Sequence, residues 1–208
     1  MGPRTRFVRV LVAAVAVLIV GVVVVGVLVV SRGEADTAGY RGSAPPPGIM
    51  LADFDLRDYT GARMSREDVD GKVVLLTFLE SKCKEACPII ASQLARGIER
   101  LTPDERERVV AIAISTHPAD DTPTNVRAFL RAQGADGKLH YLLGSERELR
   151  PVWTRFNVLS ALDSGDADTH SASVHVYDRS GEWVASLHPG IDLTPANLVH
   201  DVGVALQG

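Results

Sequence analysis

Residues 72–88 read KVVLLTFLESKCKEACP. Lys72 to Leu79, KVVLLTFL, reads as a continuous apolar run, which is what a strand buried on both faces requires. Both cysteines of the chain, Cys83 and Cys87, follow just past the carboxyl end of that strand, at the mouth of the next helix. In open α/β sheets ligands bind in the crevice outside those strand ends. Pro88 suits a first helical turn, where its missing N–H is not needed. Helix-start N–H groups and the helix dipole favour a thiolate, so Cys87 is expected to be the more acidic thiol. Lys82 and Lys84 assist this and Glu85 opposes it, while Cys83 is the more exposed loop thiol.

Outward from this stretch the pattern alternates. Phe54 to Leu56 leads to Asp58-Tyr59-Thr60-Gly61, a strand ending in a turn. Pro88 to Leu101 carries Ile90, Leu94, Ile98 and Leu101 at helical spacing. Val109 to Ile114, VVAIAI, is a second buried strand, and Thr122-Pro123 opens a helix with Val126, Phe129 and Leu130. Leu139 to Leu143 is a short strand and Glu146 to Phe156 a helix. Ser173 to Tyr177 and Glu182 to Leu187 flank Asp178-Arg179-Ser180-Gly181 as a hairpin, and Thr194-Pro195 opens a last helix through Leu206. Strand, helix, strand, helix, hairpin and closing helix make an α/β sandwich, which fits a thioredoxin-like domain with a mixed sheet.

Val10 to Val30 is uncharged and wholly apolar, and as a helix its 21 residues span roughly 30 Å, the thickness of a bilayer core. Arg4, Arg6 and Arg9 precede it, so the N-terminus stays in the cytoplasm and the remainder faces outward. A cleaved signal peptide would have a shorter apolar core and a small-residue cleavage site, which Ser31-Arg32-Gly33-Glu34 does not supply. The expected organisation is a cytoplasmic N-terminus over residues 1–9, a single-pass transmembrane anchor over 10–30, a Pro- and Gly-containing linker over 31–48, and a folded extracytoplasmic domain over 49–208. The linker ends in Pro45-Pro46-Pro47, which stiffens it. The formal net charge of -4, with three of the cations in the first nine residues, argues against nucleic acid as a partner. Hydrophobic residues at 46% and charged residues at 23% describe a globular chain. Two cysteines exclude a disulfide-rich scaffold and a four-thiolate zinc site.

A structural disulfide across so short a loop would remove little unfolded-state entropy, so the cysteine pair reads as functional. Its function is metal binding or redox exchange. The thioredoxin-type motif has two residues between its cysteines, whereas three stand here. Two soft thiolates select copper(I), and one imidazole completes a trigonal site, whereas zinc prefers four ligands. Outside the cytoplasm the default state of two neighbouring thiols is a Cys83–Cys87 disulfide, so binding would depend on an external thiol reductant. A peroxidase would want Pro-x3-Thr-x2-Cys, a spacing that Thr77 to Cys83 lacks. Among the histidines, His140 and His200 read as surface or packing residues, and His188 lies in a turn before Pro189-Gly190. His175 sits inside a strand on the face opposite Val174 and Val176. His117 lies on the same sheet edge as the cysteines, and His170 lies in the polar loop 163–171. Spacing alone does not choose between these two.

The outer domain resembles the Sco/SenC proteins, membrane-tethered thioredoxin-like proteins of copper delivery to cytochrome c oxidase. The likeness covers about Leu51 to Leu206. It rests on DFDLRDYTG, on GKVVLLTF leading to C-x3-C-P, on STHPADDTP at 115–123, and on THSASVHVYDRSG at 169–181. The resemblance implies copper as the metal and Cys83, Cys87 and His170 as its ligands. It implies as partner the dinuclear copper site of cytochrome c oxidase subunit II, or another exported copper protein. His117 stands where the family has an aspartate, Glu80-Ser81-Lys82 where it has an aromatic or glycine, and Lys84-Glu85-Ala86 where it has Pro-Asp between the cysteines. The alternative function is a thiol–disulfide oxidoreductase with Cys83 and Cys87 as catalytic residues, keeping exported cysteines reduced. That chemistry needs only the two thiols, whereas copper binding also needs His170.

Overall fold

The computed structural model describes residues 39–158 and 173–208. The expected anchor at 10–30 and the loop 163–171 with His170 lie outside the described residues. Among the described residues no helix is long and apolar enough to cross a membrane.

Seven strands form one mixed sheet: β1 (Asp55–Asp58), β2 (Arg63–Ser65), β3 (Val73–Leu79), β4 (Val109–Ser115), β5 (His140–Leu143), β6 (Val174–Tyr177) and β7 (Trp183–Leu187), in the order β2-β1-β5-β4-β3-β6-β7. The helices are α1 (Ala86–Arg100), α2 (Pro103–Glu107), α3 (Pro123–Ala132), α4 (Glu146–Arg155) and α5 (Pro195–Ala205). The strand β3 is buried at all seven positions because it lies inside the sheet, parallel to β4 on one side and antiparallel to β6 on the other. That double cover is why its sequence does not alternate. The pleat sends Leu75 and Leu79 to one face and Val74, Leu76 and Phe78 to the other. The first face packs on Ile90 and Leu94 of α1, Val126 and Leu130 of α3 and Leu198 and Val202 of α5. The second packs on Leu149, Val152 and Trp153 of α4 and on Leu51, Phe54 and Leu56.

The thioredoxin-like α/β architecture expected from the sequence is present, including the hairpin and the closing helix. Two short elements carry no apolar period: β2, at the sheet edge, and α2, which buries none of its residues. Neither was expected. The helix α1 begins at Ala86, two residues before the expected Pro88. Pro88 still falls in the first turn, where backbone N–H groups have no intrahelical partner.

The far end of the expected linker lies along the outer edge of β7. Ser43 bridges Ser186, and Met50 bridges Glu182. The fully buried Asp201 of α5 accepts the backbone N–H groups of Arg41 at 2.8 Å and Gly42 at 2.9 Å. Gly42 is needed there, since a Cβ would come within 2.7 Å of the Ser186 carbonyl oxygen.

Candidate metal centre

The site begins where β3 ends. The Leu79 carbonyl accepts from the Thr116 N–H at 3.0 Å and from the Tyr141 hydroxyl at 2.8 Å. One residue beyond Glu80, the backbone N–H of Ser81 donates to Asp121 Oδ1 at 2.7 Å. The other carboxylate oxygen of Asp121 accepts from Ser115 Oγ at 2.6 Å and lies 2.9 Å from the Tyr141 hydroxyl. The indole N–H of Trp153 donates to the Ser115 carbonyl at 2.8 Å. Three segments therefore converge on one buried carboxylate, and it fixes the loop that carries Cys83. Burial, then the Asp121 charge, push the Tyr141 phenol well above its ordinary range, so it stays protonated as a donor.

Cys83 and Cys87 are both thiols in this structure, close enough for a hydrogen bond between their sulfurs. The backbone N–H of Cys83 donates to the Glu80 carbonyl at 3.3 Å, closing the turn before α1. Cys83 is half-buried and Cys87 is buried, so Cys83 is the more exposed thiol, as expected. The expected acidity of Cys87 is reversed. It occupies the second position of α1, but burial pushes its thiol well above the ordinary value. Burial disfavours the thiolate more than the helix start favours it.

The five described histidines separate clearly. His117 Nδ1 lies 3.0 Å from Asp120 Oδ2 and 3.7 Å from Oε1 of Glu80, the residue three positions before Cys83. His175 takes the face opposite Val174 and Val176, as expected, and stacks on Trp183 with ring centroids 4.2 Å apart. Burial lowers its pKa from 6.5 to about 4, with His188 adding to the shift. His140 is exposed beside Asp58, His188 sits in its turn, and His200 lies 3.1 Å from Asp201 on α5. His170 belongs to the segment outside the described residues. Of the expected ligands, the two cysteines are brought together. Asp121, Ser115 and Tyr141 were missed as site residues. The only sequence signal for them was the STHPADDTP stretch, which holds Ser115 and Asp121.

A model of the SCO1/SenC family matches residues 43–206. An SCO2-like protein of Rickettsia felis is 24% identical over 153 residues, covering 71% of this chain and 72% of the relative. The solution structure of apo Sco1 from Thermus thermophilus superposes with a TM-score of 0.65 at 26% identity, over 80% of this chain and 97% of that one. The structure of Bradyrhizobium japonicum ScoI with copper bound gives 0.61 at 26% identity, over 76% of this chain and all of that one.

Proposed function

Because the chain belongs to the SCO1/SenC family, we propose that it binds copper and acts in the assembly of cytochrome c oxidase, with Cys83, Cys87 and His170 as the copper ligands. The observation that carries this reading is the meeting of two thiols at the carboxyl end of β3, one on a loop pinned by Asp121 and the other in the first turn of α1. The donor set suits the metal, because thiolates and one imidazole form a soft, low-coordinate site. The chain returns to the same strand for β6: the Thr77 hydroxyl donates to the Ser173 carbonyl at 2.9 Å. His170 stands three residues ahead of Ser173, a reach of at most about 11 Å.

The copper is cargo in this proposal, passed on by ligand exchange that needs no acid or base. The recipient is the dinuclear copper site of oxidase subunit II. The domain works outside the cytoplasm, tethered by the helix proposed at 10–30, and an external reductant keeps Cys83 and Cys87 as thiols. The hydrogen-bonded sulfurs also favour a second reading, thiol–disulfide exchange, which makes no use of His170.

Copper(I) titration of the reduced full-length chain in detergent separates the two. One ion should bind per chain. Cys83→Ser or Cys87→Ser should abolish tight binding, and His170→Ala should weaken it at least tenfold. Unchanged binding in His170→Ala, with loss in His117→Ala, would overturn the ligand assignment. No binding by the reduced chain would leave the exchange reading in its place.

A further inference from the structure

Beside the thiols lies a second donor set of different chemistry. Glu80 follows the last residue of β3, and His117 and Asp120 lie in the turn between β4 and α3. The parallel register pairs Leu79 with Ser115, and this brings residues 37 apart in sequence side by side. One oxygen or nitrogen from each of the three side chains falls within 4.8 Å of the other two. The two shorter separations, 3.0 Å from His117 Nδ1 to Asp120 and 3.7 Å to Glu80, bracket the spacing of ligands on one ion. Metal–ligand bonds of about 2.0–2.2 Å set neighbouring ligands about 3.0–3.5 Å apart. The side chains are 12, 24 and 29% exposed, so they are held by the fold yet open on one side to water and to an entering ion.

Two features point to a cation at this spot. His117 Nδ1 is shut off from solvent, with Asp120 Oδ2 at 3.0 Å and Glu80 Oε1 at 3.7 Å facing it. A buried ring nitrogen that faces two carboxylates either carries a proton toward Asp120 or ligates a cation that the carboxylates share. The ammonium of Lys82 does not supply one, because it holds Asp120 by Oδ1 and leaves Oδ2 turned to the histidine. We propose that Glu80, His117 and Asp120 form a metal site separate from the cysteine pair, which takes a divalent cation of borderline softness such as copper(II) or zinc(II). An imidazole with two carboxylates suits such an ion and is too hard a set for copper(I). The chain would then carry two neighbouring sites that sort ions by softness.

The test uses the full-length chain in detergent with Cys83→Ser, Cys87→Ser and His170→Ala combined, so that none of the ligands proposed for copper(I) remains. Copper(II) alone and zinc(II) alone are titrated by calorimetry, and the copper(II) form is examined by electron paramagnetic resonance. One ion should bind per chain, with hyperfine structure from a single imidazole nitrogen. Adding His117→Gln or Glu80→Gln should weaken binding at least tenfold and remove or alter that signal. Lys82→Ala should strengthen binding by freeing Asp120. Circular dichroism melting confirms that each variant is folded, and Asp120→Asn serves as a further variant if one of them is not. No binding in the thiol-free chain, or equal binding with and without His117, would overturn the proposal. Either result is independent of whether the wild-type thiols capture copper(I).

Discussion

Two turns of this molecule are built to one plan. His117-Pro118-Ala119-Asp120-Asp121-Thr122-Pro123-Thr124-Asn125 leads into α3, and His188-Pro189-Gly190-Ile191-Asp192-Leu193-Thr194-Pro195-Ala196-Asn197 leads into α5. In each, the histidine carbonyl accepts successive backbone N–H groups: those of Asp120 and Asp121 in the first, those of Ile191, Asp192 and Leu193 in the second. In each, a threonine caps the helix and proline fills its first turn. The asparagine amide donates back to the aspartate carbonyl at 2.8 Å in both. The residue before the threonine differs. Asp121 and Leu193 are equally buried, at 4% exposed, but Asp121 binds the Cys83 loop, whereas Leu193 joins the apolar core. The shared cassette starts a helix, and one residue decides whether it also organises a site.

Swapping that residue gives the largest effect. Asp121→Leu removes the acceptor for the Ser81 N–H and the Ser115 hydroxyl in a buried setting. The expected loss is about 3–5 kcal/mol of stability, because buried donors are left unpaired. Copper(I) affinity of the folded protein should fall as well, since the Cys83 loop loses its anchor. Leu193→Ala should cost about 2–4 kcal/mol through the cavity it leaves, with copper(I) affinity unchanged. Urea denaturation and a copper(I) competition assay measure the two quantities. Equal loss of affinity in both variants would break the distinction between the turns.

Both histidines of the cassette face carboxylates, Asp120 and Glu80 at His117 and Asp192 at His188, but His188 also lies near the buried imidazole of His175. His175 holds its pKa near 4 in the folded state, against 6.5 for the free side chain. Between those values the unfolded chain binds the proton and the folded chain does not, so stability falls as pH drops through this window. The slope from this group is up to about 1.4 kcal/mol per pH unit. His175→Phe should flatten the melting temperature between pH 6.5 and 4 relative to wild type, and an unchanged slope would remove His175 as its source.

What was legible in the sequence followed burial and period. The strands β3 and β4 were readable because a doubly covered strand is continuously apolar, and α1 because Ile90, Leu94 and Ile98 mark one stripe. The strand β2 was not, because three residues at a sheet edge leave no period to detect. Cys83 and Cys87 were readable as a pair from spacing alone, but the acidity of Cys87 was not, since position in a helix is visible in sequence and burial is not. Glu80 and His117 could be joined only through the register of β3 against β4. The likeness of the two turns was hidden by the one extra residue in the second, which shifts the histidine from three to four positions before the aspartate.

The smallest effect tests whether the cassette is one device used twice. Thr122 Oγ1 accepts from the Asn125 N–H at 3.2 Å, and Thr194 Oγ1 accepts from the Asn197 N–H at 3.1 Å. Each satisfies one of the N–H groups that a helix start leaves without a partner, and each stands before a proline that has none to satisfy. The two caps differ in what lies beside them, a buried carboxylate at the first and an aliphatic core at the second. If capping is local, that difference does not matter: Thr122→Ala and Thr194→Ala should each cost about 1 kcal/mol, within a few tenths of one another. Neither should change copper(I) affinity, because the Asp121 contacts to Ser81 and Ser115 do not pass through the threonine side chain. The double variant should lose the sum of the two, since the caps share no hydrogen-bond partner. A loss at Thr122 that clearly exceeds the loss at Thr194, accompanied by weaker copper(I) binding, would mean that the first cap is part of the site and that the two turns are not equivalent even at the helix start.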